Sequence, residues 1–123
     1  MKENKISVII PAYNEEKNIA VVLNIVKKYD KISEIIVVDN ACTDKTAEIS
    51  RDLGAKVVEC HVKGKGYAME KGVEEARGDI IVFLDADVLY QDNIIELLVE
   101  PILSGRADFV KSTFNRTCRR SSN

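Results

Sequence analysis

Two carboxylates separated by one small residue follow an oily run in "IIVFLDADV" (80–88). Asp85 and Asp87 stand at i and i+2, so in an extended segment both point the same way and can address one cation or one polyol. Side by side at the end of a buried strand, they cost free energy unless something positive meets them. A divalent ion such as Mg2+ takes one or two carboxylates plus phosphate oxygens, which suits a short Asp-x-Asp element. The competing account is structural: one aspartate caps a turn and the other is solvated. Placement at the carboxyl end of a parallel strand favours the functional account.

Other clusters carry chemistry of the same kind. Asp39 closes "EIIVVD" and can accept a hydrogen bond from a ring N–H, such as that of uracil. It can equally bond its own backbone in a turn, and the residues alone leave both open. Asp44 reads as a helix cap. In "PAYNEE" (11–16), Pro11 is expected to stop a strand and Ala12 to keep the turn narrow, leaving backbone groups for a planar ligand near a helix N-terminus. There Glu15 suits ribose hydroxyls or merely the helix dipole, and Tyr13 packs on a base or on its own scaffold. "KGKGYA" (63–68) sets two glycines and two lysines at a helix entry, which makes a diphosphate cradle. It is neither GxxxxGK[ST] nor GxGxxG. Standing alone, it would be read as a solvated loop.

The elements that must position these groups alternate. Buried, β-branched runs predict strands over 6–11, 34–39, 56–60, 79–85 and 108–114. Between them, apolar spacing, caps and glycine stops predict helices over 14–30, 43–54, 65–78 and 92–105. Asn14 is the expected cap of the first, Thr43 or Asp44 of the second, and Pro101 is expected to bend or restart the last. Strict alternation implies an α/β fold with a mainly parallel, Rossmann-like sheet and right-handed crossovers. The polar clusters then converge on one crevice at the strands' carboxyl ends.

Composition removes other classes. The chain has 123 residues, 46% apolar and 31% charged, which suits one domain of ordinary globular make-up. A formal net charge of −2 gives no field for nucleic acid. Apolar runs reach only about five residues, far short of a transmembrane span. Cys42, Cys60 and Cys118 are scattered, which implies reduced thiols and a cytoplasmic setting. A single histidine, His61, argues against a His/Cys zinc site.

Together, "VIIPAYNEE", "EIIVVDNACTD" and "KGKGYAMEKGVEEARGDIIVFLDADV" resemble the nucleotide-sugar-binding half of family 2-like glycosyltransferases with the glycosyltransferase-A fold. The resemblance runs over about residues 6–114. It implies a nucleotide-diphosphate sugar donor, UDP-linked for preference, and a divalent metal, Mg2+ or Mn2+. It implies that Pro11, Ala12, Tyr13 and Glu15 line base and ribose, Asp39 holds the base edge, and Lys65 contacts the diphosphate. Asp85 would lie near the ribose and Asp87 would ligate the metal; no catalytic side chain is identified. Ala41–Cys42 depart from the small Gly or Ser usual in this family.

"ADFVKSTFNR" (107–116) looks like the segment after the metal motif in glucosyl-3-phosphoglycerate synthases, implying transfer of glucose to 3-phosphoglycerate. Polyprenyl-phosphate (dolichyl-phosphate) glycosyltransferases share the first blocks and are the alternative. Relatives of this type run well past 200 residues, so the chain is expected to be a truncated product: a half domain over 1–114 and a polar, disordered tail over 115–123. Such a product would bind donor, lack the acceptor half and be prone to self-association. A non-catalytic nucleotide-binding or assembly domain is a further reading. A phosphoacceptor receiver domain would need an acidic pair where Pro11-Ala12-Tyr13 stand.

Overall fold

Continuous apolar runs build the sheet. In the computed structural model, which describes residues 4–105, strands β1 (Ile6–Ala12), β2 (Glu34–Asp39), β3 (Lys56–Glu59) and β4 (Ile80–Phe83) alternate with helices α1 (Ile19–Val26), α2 (Thr46–Asp52), α3 (Lys65–Glu75) and α4 (Ile94–Leu103). The strands are all parallel, in the order β3-β2-β1-β4. Both faces are covered, which is why the strands read as unbroken apolar runs. Ile6, Val8 and Ile10 face Leu23 and Val26 of α1 and Ile95 and Val99 of α4, with Ile49 and Leu53 of α2 packed alongside. Ile9, Ile36, Val38 and Val58 form the opposite face with Ala68 of α3.

Helix placement follows from handedness. The chain moves outward from β1 to β2 to β3, so right-handed crossovers place α1 and α2 on one face. It then returns past β1 to β4, and the reversed direction puts α3 on the other face. That reversal makes the junction of β1 and β4 the switch point of the sheet, where a crevice opens beyond the strand ends.

Element boundaries differ from expectation where side chains redirect the backbone. Asn14 does not cap α1, which begins at Ile19; Asn14 is left-handed, with φ 51°, and its Oδ1 accepts from the Thr43 N–H at 2.8 Å. Nor does either expected residue hold the cap position of α2, although Asp44 Oδ1 accepts from the Thr46 N–H at 3.0 Å. The third helix ends at Glu75 rather than Gly78, because the next N–H groups turn to other partners: Arg77 donates to Glu34 Oε2 and Gly78 to Ser7 Oγ. Pro101 lies inside a continuous α4. Its missing N–H removes the helical bond that the carbonyl of Leu97 would otherwise accept.

Among the described residues, no helix is long and apolar enough to cross a membrane. The expected fifth strand over 108–114 and the tail over 115–123 lie outside the described residues.

Candidate functional site

Pro11 was expected to end its strand, but β1 runs through it to Ala12, pairing Pro11 with Val38 and Ala12 with Asp39. Alternation explains the tolerance. The carbonyls of Ile6 and Ala12 accept from Ser33 and Asn40, on the β2 side, whereas Ile9 accepts from Leu84, on the β4 side. Odd positions therefore face β4, and so does the nitrogen of Pro11. Pairing with β4 ends at Ile9–Phe83, so the missing donor falls where no ladder bond is due. Proline here marks the parting of the two strands.

Beyond that parting lies a cleft of about 210 Å³, lined by Pro11, Ala12, Tyr13 and Glu15, by Asn40, by Lys65, and by Asp85, Ala86 and Asp87. All the sequence-derived site residues meet there except Asp39. Leu84 N–H still bonds Ile9, but the N–H of Asp85 turns to Tyr90 Oη at 2.7 Å, which bends the chain out of the sheet. Ala86 and Val88 are buried and hold the turn to the core, while Asp85 and Asp87 are half-buried. Asp85 Oδ1 pairs with Lys65 Nζ across the cleft. Among the described residues, the Asp87 carboxylate has no hydrogen-bond or ion-pair partner.

The donor set fits a hard divalent ion in part. Glu15, Asp85 and Asp87 bring three carboxylates to the cleft, yet among the described residues no group of three or more His, Cys, Asp or Glu is placed to hold a metal. Further oxygens would come from a bound phosphate or water, as Mg2+ commonly requires.

Asp39 behaves as a turn carboxylate: its Oδ1 accepts from the Cys42 N–H at 2.8 Å. Glu15 lines the cleft with Oε1 accepting from Asn18 Nδ2 at 3.0 Å. Of the backbone groups in "PAYNEE", expected to be free for a planar ligand, the Ala12 carbonyl accepts from the Asn40 N–H at 2.9 Å and the Cys42 thiol at 3.2 Å. Burial, with Asp39 beside it, pushes the Cys42 thiol up to about 11, so near neutral pH it is a neutral donor rather than a nucleophile. Asp44 sits below the usual carboxylate range. Burial alone would raise it, but hydrogen bonds from the Thr46 hydroxyl and from the Thr46 and Glu16 N–H groups outweigh that effect.

Sequence reasoning missed Asn40, which is buried and ties the β2 end to the loop after β3, with Nδ2 to Val62 O at 2.9 Å and Oδ1 from Gly64 N–H at 2.9 Å. The available signal was an amide placed directly after a strand-end aspartate. Lys63, one of the two lysines expected at the cradle, lies over the Tyr13 ring at 4.3 Å from its centroid, a contact that the sequence did not signal. Nothing local in the sequence signals the Tyr90 bond to Asp85.

An open parallel sheet with its polar cleft at the β1–β4 switch point defines the class as the glycosyltransferase-A fold of nucleotide-sugar transferases. Residues 7–121 match the family described as Glycosyl transferase family 2, and the chain belongs to that family. Protein RfbJ of Shigella flexneri is 35% identical over 105 residues, covering 85% of this chain and 81% of that protein. Glucosyl-3-phosphoglycerate synthase of Mycobacterium tuberculosis, solved with Mn2+, UDP and glucosyl-3-phosphoglycerate, superposes with a TM-score of 0.75 at 33% identity, covering 82% of this chain and 40% of that one. Dolichol-phosphate mannosyltransferase of Pyrococcus furiosus is 34% identical over 111 residues, covering 82% of this chain and 31% of that protein. The chain thus spans most of RfbJ but well under half of the other two.

Proposed function

We propose that this chain forms the donor-binding part of a glycosyltransferase that takes a nucleotide-diphosphate sugar, UDP-linked for preference, together with Mg2+ or Mn2+. One observation carries the reading: the switch-point cleft gathers Tyr13, Glu15, Lys65, Asp85 and Asp87 from separate strand ends. Pro11, Ala12 and Tyr13 would form the wall for the base. Asp39, steadied by its bond to Cys42, would accept from a ring N–H of the base, and Glu15 and Asp85 would meet ribose hydroxyls. Lys65 would leave Asp85 for the diphosphate, a charge-assisted contact that strengthens as negative charge develops on the leaving group. Asp87, with Asp85 beside it, would hold the metal, which when bound neutralises the same developing charge.

Support for the uridine and metal assignments comes from likeness to the mycobacterial synthase, whose structures contain UDP with Mn2+ or with Mg2+. That likeness favours glucose transfer to 3-phosphoglycerate by the whole enzyme. Likeness to the dolichol-phosphate mannosyltransferase favours a polyprenyl-phosphate acceptor as the second reading. Calorimetric titration with UDP, GDP and their sugars, with Mn2+ and then EDTA, tests the donor reading. Metal-dependent heat with a uridine nucleotide is expected, and its absence with every nucleotide would sink the assignment. Transfer assays offering 3-phosphoglycerate or a polyprenyl phosphate separate the two acceptors.

A further inference from the structure

The side chain of Asn40 is almost wholly enclosed, at 4% exposure, yet all of its bonds go to one loop. Nδ2 donates to the carbonyls of Cys60 at 3.3 Å and Val62 at 2.9 Å, and Oδ1 accepts from the Gly64 N–H at 2.9 Å. Its own N–H donates to Ala12 O at 2.9 Å, so the residue that holds the loop is itself held by β1. The N-terminus of α3 has no side-chain cap of its own; Gly64 occupies the cap position with φ 138°. Restraint on that helix start therefore comes from a neighbouring strand.

The held loop sets one lysine, Lys65, in the cleft and another, Lys63, against the cleft residue Tyr13. Lys63 Nζ reaches Tyr13 Oη at 2.9 Å, and Lys65 Nζ reaches Asp85. Tyr13 and Asp85 stand on the β1 and β4 sides of the cleft. A shift of the loop would move both lysines together.

We propose that Asn40 is a positioning residue which, by fixing the Cys60–Gly64 loop, sets where Lys63 and Lys65 stand and so how strongly the cleft holds a diphosphate. This rests on the nucleotide-sugar reading above. A primary amide meets all three loop groups at once, two as donor and one as acceptor. A methyl group meets none: it takes this partner from the Cys60 carbonyl and the Gly64 N–H, and leaves the Val62 carbonyl only the Cys60 thiol at 3.3 Å.

Two ligands separate positioning from plain stability. Uridine carries base and ribose without phosphate; UDP adds the diphosphate that the lysines would meet. In calorimetry on the full chain with Mg2+, Asn40→Ala is expected to weaken UDP about tenfold and uridine by less than about twofold. Lys65→Met should weaken UDP similarly, and Asn40→Ala added to it should cost less than it does in the parent, because the part of its effect that passes through Lys65 is already gone. Equal losses for uridine and UDP, or full additivity of the two substitutions, would overturn the proposal. Hydrogen exchange at the Gly64 amide supplies a ligand-free arm: it should quicken in Asn40→Ala while Ile9 and Val37 stay protected, and an unchanged Gly64 would also overturn it. If Gly64 responds but the unsubstituted chain binds neither UDP nor uridine, the nucleotide-sugar reading has failed and the tether has not. Should Asn40→Ala not fold, Asn40→Ser, which offers an acceptor for Gly64, is expected to show the same pattern at smaller size.

Discussion

At the scale of single residues, the two carboxylates of the Asp-x-Asp element differ in kind. Asp85 is met by Lys65 and by the Tyr90 hydroxyl at its N–H, whereas Asp87 has no such partner among the described residues. Removing Asp87 should therefore take away ligand binding without taking away folding. Asp87→Ala is expected to lose the difference in UDP affinity between Mn2+ and EDTA, while its stability stays within about 0.5 kcal/mol of the parent. A variant that keeps the full metal effect would move the metal site elsewhere. Ala41 offers a different test, because it sits in the left-handed region with φ 63°. That conformation costs a residue with a Cβ about 1–2 kcal/mol, and the extra freedom of glycine in the unfolded chain returns about 0.5–1 kcal/mol of it. Ala41→Gly should thus gain about 0.5–1 kcal/mol in urea unfolding; a loss would mean that the Ala41 methyl makes contacts worth more than the strain.

At the scale of elements, the tightest joint is between α3 and β1. A Cβ built on Gly72 would lie 2.4 Å from Ile9 Cγ2, and Ile9 is fully buried and branched at Cβ. Helix propensity alone favours alanine at this position by about 1 kcal/mol. Overpacking opposes it by about 1–3 kcal/mol, so Gly72→Ala should come out destabilising by about 1 kcal/mol, read as a lower urea midpoint at unchanged slope. A higher midpoint would show that the helix can lift from the sheet without cost. The strands were legible because burial on both faces leaves apolar runs such as "VII" and "IIVV" in place of strict alternation. Helix ends were less so. Asn14 and Gly78 have the chemistry of a cap and a stop, yet each is engaged by a residue distant in sequence, Thr43 and Ser7 respectively. The cleft was legible where a charge follows a strand or opens a helix, as at Asp85, Asp87 and Lys65, though the strand-end Asp39 turns to Cys42 instead. It was not legible where the function of a side chain is to hold another loop, as with Asn40, because such a role depends on which strands become neighbours.

At the scale of the whole molecule, the amino-terminal end of the sheet, opposite the cleft, is fixed by a polar knot whose strength depends on pH. The Ser7 hydroxyl donates to Glu34 Oε2 at 2.5 Å, the Arg77 N–H donates to the same oxygen at 2.6 Å, and the Gly78 N–H donates to Ser7 Oγ at 2.8 Å. The knot joins β1, β2 and the α3–β4 turn, so it bears on how β4 and the Asp-x-Asp turn are set against the rest of the sheet. Burial would raise the Glu34 pKa, but the bonds from Arg77 and Ser7, with Lys56 nearby, bring it below the usual carboxylate value. A carboxylate held lower in the folded chain than in the unfolded one stabilises the fold above its unfolded pKa of about 4.3, and that contribution fades as pH falls through the folded value. Glu34→Gln keeps an acceptor for Arg77 but has no charge to lose. It should be less stable than the parent by about 1 kcal/mol near pH 7, the size of one partly screened charged hydrogen bond. The gap should close as the parent is titrated downward from about pH 5 through the folded Glu34 value, because the protonated carboxyl then resembles the amide. Urea unfolding of both chains across that range checks the sign. A gap that stays constant to acid pH would mean that Glu34 contributes through shape rather than charge, and a gap that widens would reverse the assignment of its bonds.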